Sequence, residues 1–142
     1  MKHILTATAL CLTASAGFAQ NYGFAGILSN DNRGEMPELQ LVVGQPIAEG
    51  PITLNSGMVY EMEIEADGSA ELALTGAEFF RAVWVNEVVV NGLEIRPFGI
   101  ESVEFDEAGT MEIEFVAIKP GTYELKIPGS TEDSQRVQIT IQ

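Results

Sequence analysis

From Leu39 onward the chain alternates with period two. Leu39, Leu41 and Val43 are separated by Gln40 and Val42 before Gly44 and Pro46 interrupt, and Ile52-Thr53-Leu54 repeats the pattern between Gly50-Pro51 and Ser56-Gly57. The clearest run is Met58 to Ala66. Met58, Tyr60, Met62 and Ile64 share one parity and Glu61, Glu63 and Glu65 the other, so a pleated strand would carry three carboxylates on one face and an apolar set on the opposite one. Asp67-Gly68 then predicts a two-residue hairpin turn, with Ala70, Leu72 and Leu74 returning as the partner strand.

Phe79, Phe80, Val83 and Trp84 are spaced as on one helical face, which predicts a short helix near 78–87, although β-branched Val83 and Val85 weaken that propensity. Glu87 to Val90, Asn91-Gly92 and Leu93 to Ile95 predict a tight hairpin. Ile100, Val103 and Phe105 lead to a turn at Asp106 to Gly109. Three further alternating runs follow, through Met111-Ile113-Phe115, Tyr123-Leu125-Ile127 and Val137-Ile139-Ile141. Seven to nine short strands without a βαβ rhythm predict an all-β Greek-key sandwich in one domain, residues 39–142. Residues 20–38, rich in Gly, Asn and Ser, predict an irregular lead-in rather than a packed element.

The first 19 residues have another character. Lys2-His3, an apolar and small stretch from Ile4 to Ala16, and Gly17-Phe18-Ala19 have the form of a secretory signal peptide cut after Ala19, which places the protein in the periplasm or outside the cell. The stretch is too short and too weakly apolar to predict membrane insertion. Of 142 residues, such a cut leaves 123, and the single His and single Cys of the whole chain, His3 and Cys11, leave with the leader. A domain of that size can be held by a packed core without disulfides.

Charge narrows the function classes. The chain carries 21 acidic and 7 basic side chains, a formal charge of −14 that becomes −15 once Lys2 is removed. Repulsion argues against nucleic acid and anionic lipid, while a basic protein partner is permitted. Without histidine there is no Ser-His triad, and no glycine-rich phosphate loop follows a strand, so neither an enzyme nor a cofactor is expected.

Gly109 to Leu125, ending in Lys119-Pro120-Gly121-Thr122-Tyr123-Glu124-Leu125, resembles the C-terminal half of cupredoxins, the blue-copper family of β-sandwiches; Ile52 to Tyr60 is similar to an early strand and turn of the same family. The resemblance implies a cupredoxin-like fold and, after the Tyr, a loop holding a thiolate and an imidazole for copper. Ile127 stands where the Cys would be and Ser130 where the His would be; no Met follows, and no upstream His falls between Phe79 and Asn86. The resemblance therefore implies the fold without a type 1 copper site.

What remains is a binding or accessory role, with a basic protein or, by family analogy, a redox protein as partner. Glu61, Glu63 and Glu65 form the candidate partner-binding face, with Arg81, Trp84 and Arg96 as candidates because Arg and Trp dominate binding hot spots. The bland alternative makes Trp84 a core residue and each Arg the answer to a neighbouring Glu. A second reading is metal handling, by the strand carboxylates joined by Glu112 and Glu114, or by Met36, Met58, Met62 and Met111. A third is a structural component of a surface assembly.

Overall fold

The computed structural model describes residues 23–142; the leader lies outside them. Among the described residues ten strands form two five-stranded sheets. They are β1 (Leu39–Leu41), β2 (Ile52–Leu54), β3 (Val59–Ala66), β4 (Leu72–Thr75), β5 (Val83–Val90), β6 (Leu93–Ile95), β7 (Ser102–Phe105), β8 (Gly109–Ala117), β9 (Gly121–Lys126) and β10 (Arg136–Ile141), with one short helix, α1 (Ala77–Phe80), between β4 and β5. The first sheet has the order β1-β3-β8-β5-β6 and the second β2-β10-β9-β4-β7. The all-β sandwich read from the alternation is therefore present. Only β5–β6 and β9–β10 are sequential neighbours within a sheet; every other connection among the described strands crosses between the layers.

Period-two alternation fills the space between the sheets. Tyr60, Met62 and Ile64 of β3 face Phe115, Ile113 and Met111 of β8, and this set packs on Leu125, Val137 and Ile139 of the second sheet in one core. Phe79 of α1 is fully buried and meets Phe115 edge to face at 5.5 Å, which anchors the crossover from β4 to β5. Tyr123 pins a second crossover: its hydroxyl donates to the Lys119 carbonyl at 2.9 Å across the Pro120-Gly121 corner.

Three sequence expectations are corrected. Asp67-Gly68 does not close a hairpin, because β3 is already flanked by β1 and β8 and has no free edge for β4. Instead the Asp67 carboxylate accepts from the Ser69 N–H at 2.9 Å, an Asx turn that sends the chain to the other sheet. Gly68 is required there: its φ is +73°, and a Cβ would lie 2.7 Å from the Ala108 backbone nitrogen.

The helix expected near 78–87 spans four residues, Ala77–Phe80. From Val83 the β-branched run Val83, Val85 and Val88 to Val90 takes a strand conformation, which turns Trp84 away from the Phe79 side.

The lead-in, expected to be irregular, makes two 3₁₀ turns and then joins the first sheet. Arg33 bridges Val59 in parallel, the Gly34 N–H donates to the Val59 carbonyl at 2.8 Å, and buried Asn32 donates its Nδ2 to the carbonyls of Ile27 at 2.7 Å and Gly57 at 2.8 Å. Gly34 has no side chain because the Tyr60 ring occupies the space where a Cβ would stand.

Candidate functional site: the outer face of the first sheet

Strand register sorts the charges. With Tyr60, Met62 and Ile64 turned inward, the other parity of β3 faces outward, and its partners across β8 and β5 follow. Glu61 lies opposite Glu114, Glu63 opposite Glu112, and Glu87 opposite Glu114 from the other side, while Val89 lies between Glu112 and Glu94. One face thus collects seven glutamates among the described residues: Glu61, Glu63, Glu65, Glu87, Glu94, Glu112 and Glu114. Like charges directly opposite on neighbouring strands are destabilising, so the fold tolerates this arrangement rather than gaining from it.

Two arginines touch the field. Arg33, delivered by the lead-in, places Nη2 2.5 Å from Glu114 Oε2, and Asn86 donates Nδ2 to Glu114 Oε1 at 2.6 Å. Glu114 is only 7% exposed, so both oxygens of a buried carboxylate are satisfied. The Asn86 contact depends on a bulge between Val85 and Glu87, which turns Asn86 to the same side as Trp84 and Glu87. Arg96 pairs with Glu87 and, at 3.0 Å, with Glu94.

At the far end of the band, Glu65 meets Glu38. A side-chain hydrogen bond to Glu38, and then the field of that carboxylate, raise the Glu65 carboxyl above its ordinary value. Neighbouring Asp67 is lowered instead, because the Ser69 side chain and backbone N–H both bond to its charged form.

The structure brings Glu61, Glu63, Glu65, Trp84 and Arg96 onto this one face. Trp84 sits opposite Val116, 48% exposed, so it is not a core residue. Arg81 is not on the sheet; it ends α1 and pairs with exposed Glu78 at 3.0 Å. Sequence reading did not single out Arg33, Asn86, Glu87 or Glu94, although the shared parity of Glu112 and Glu114 was visible.

The opposite requirement, a copper site at the loop after β9, does not fit the residues present. Ile127 is buried in the core and its N–H donates to the Gln135 carbonyl at 3.0 Å; it has no lone pair to offer a metal. The Ser130 hydroxyl accepts from the Glu132 N–H at 3.3 Å within the turn that follows. Ile47 from the β1–β2 connection, fully buried, closes this end by donating its N–H to the Ser134 carbonyl at 3.1 Å. Among the described residues no three His, Cys, Asp or Glu side chains converge as a metal-binding set; strand carboxylates on one face point in parallel. Met36, Met58 and Met111 pack against the core and Met62 lies within it.

No protein-family model and no curated protein matches the sequence. In three dimensions the chain is similar to a multi-copper oxidase from Pseudomonas thermotolerans, with a TM-score of 0.56 at 16% identity over 79% of this chain and 30% of that one. It is also similar to a blue copper oxidase from Nitrosomonas europaea, with a TM-score of 0.51 at 12% identity over 65% of this chain and 30% of the other. A copper nitrite reductase from the same organism gives 0.50 at 11% identity over 65% and 32%. The chain spans about a third of each of these proteins' length. At these identities the likeness is one of fold, and the fold is a cupredoxin-like β-sandwich whose loop residues do not fit a blue-copper ion.

Proposed function

We propose that the chain is an exported, non-catalytic accessory protein that docks a basic partner on the glutamate face of its first sheet. The class of partner that fold analogy suggests is a redox protein such as a cytochrome. The observation that carries this reading is the like-charged register of Glu63 against Glu112, with exposed Glu61 next to Glu63 and a half-exposed Trp84 on the same face. A surface needed only for solubility gains nothing from placing carboxylates directly opposite one another, whereas a basic partner would relieve that repulsion on docking. Trp84 supplies the amphipathic anchor that binding hot spots favour. Export rests on the Lys2 to Ala19 pattern.

The test is capture from a periplasmic extract at about 20 mM salt, with elution by salt. The expected result is a basic protein that the wild-type chain retains and a Glu61→Gln, Glu63→Gln, Glu112→Gln variant does not. Retention unchanged up to about 500 mM salt would overturn the electrostatic reading.

A further inference from the structure

The β5–β6 hairpin ends the first sheet in a short edge strand that carries exposed apolar side chains beside its charges. β6 is the last strand of the first sheet, and Leu93 and Ile95 on it are 63% and 45% exposed, with Phe98 fully exposed just beyond. Both stand on the inward parity, opposite Val90 and Val88.

The turn decides which backbone groups are free. Asn91 and Gly92 both have positive φ, as a two-residue hairpin requires, so Val90 and Leu93 form the hydrogen-bonded pair that closes it. Pairs then alternate: Val88 and Ile95 are also hydrogen-bonded, and the N–H and C=O of Glu94 point away from β5 to the open edge. Arg96 lies just beyond the strand, and Pro97 after it biases Arg96 to extended backbone, which would carry the same direction one step further. Pro97 lacks a donor only at a position that would face β5.

We propose that this edge is the seat of a two-fold dimer, with β6 of one copy adding antiparallel to β6 of a second about an axis through Ile95. That register sets Glu94, which pairs with Arg96 of its own chain, opposite Arg96 of the second copy as well, twice, at the two positions whose N–H and C=O groups would bond across. Ile95 meets its own counterpart between them. Shifting the axis to residue 94 or 96 sets Glu against Glu or Arg against Arg, so charge selects the register. Leu93 and Ile95 lose exposure, and Glu61, Glu63 and Glu112 stay open, while Glu94 and Arg96 at the margin of the glutamate face are shared with the dimer contact. A ladder this short belongs to the weak class of interfaces.

Ile95→Cys, in a chain with Cys11→Ser, tests the register at about 150 mM salt, where net repulsion is largely screened. A non-hydrogen-bonded antiparallel pair stands about 4.5 Å apart between Cα atoms, within disulfide range. We expect the Ile95→Cys chain to cross-link at least about tenfold faster than a Val43→Cys control, whose site is 56% exposed away from β6. Equal rates would overturn the proposal. On the Ile95→Cys background Glu94→Arg alone should slow cross-linking, and adding Arg96→Glu should restore it; a double variant as slow as the single would contradict the register. Sedimentation of the unmodified chain between about 10 µM and 1 mM should show mass rising toward the dimer. A monomer throughout would reject the second copy and leave the edge to a strand of another protein.

Discussion

The two outer faces of the sandwich are built from the same alternation and carry different charge. On the second sheet the outward residues are Thr53, Ala73, Thr75, Ser102, Glu104, Thr122, Gln138 and Thr140, with Glu124 placed between Lys126 and Arg136 at 3.4 Å from each. Threonines stand opposite threonines, and two acids, Glu104 and Glu124, share the face with two bases, Lys126 and Arg136. On the first sheet glutamate stands opposite glutamate, and Arg33 and Arg96 answer only part of the field. The acidity of the chain is thus not spread evenly: the outward strand charges of the second sheet balance, whereas those of the first are strongly negative.

The largest expected effect breaks this asymmetry directly. Replacing Glu61, Glu63 and Glu112 with Gln should lower the low-salt association rate with a basic redox protein by about 100-fold. Replacing Thr53, Thr122 and Gln138 with Ala should leave that rate within about twofold, as stopped-flow mixing would show.

The faces should also differ in stability. Arg33→Ala leaves the buried Glu114 carboxylate with Asn86 alone, and should cost about 2 kcal/mol in urea unfolding. Arg136→Ala removes a more exposed pair from the other face and should cost under about 1 kcal/mol. A reversed order would mean that the lead-in is not part of the first face.

Glu63→Gln should stabilise the fold by about 0.5 kcal/mol, because it removes the repulsion with Glu112. Glu124→Gln on the second face, which loses Lys126 and Arg136, should be neutral or slightly destabilising.

Much of this was legible in the chain and some was not, for identifiable reasons. Parity told which residues of β3 and β8 face outward, because side-chain direction in a strand is local. It did not tell that Glu63 meets Glu112, since that pairing joins segments far apart in sequence. Asp67-Gly68 and Asn91-Gly92 carry the same turn chemistry, yet only the second closes a hairpin. β5 offers β6 a free edge, whereas β1 and β8 occupy both sides of β3. Trp84 could be read as helical from its spacing to Phe80, and the valines around it decided otherwise. Arg33 gave no signal at all, because its partner Glu114 is set by a parallel bridge formed by a segment without periodicity.

The smallest effect sharpens the edge of the acidic field. Glu65 is raised by Glu38, so its protonated form favours the native state; that contribution is full below the ordinary glutamate value and is lost as pH rises through the raised one. Asp67 has the opposite sign: its contribution is present above the ordinary aspartate value and is lost as pH falls through the lowered one. Carboxyl carbon shifts followed by NMR should show Glu65 titrating above its ordinary value, and Glu38→Gln should bring it back toward that range.

The central claim is that the first sheet's glutamate face is the docking surface, and affinity for a captured basic partner as a function of ionic strength tests it most directly. The account predicts a steep fall in affinity between about 20 and 500 mM salt, flattened by the Glu61, Glu63 and Glu112 substitutions and unchanged by those at Thr53, Thr122 and Gln138. Affinity independent of salt, or equal sensitivity to substitutions on the two faces, would contradict it.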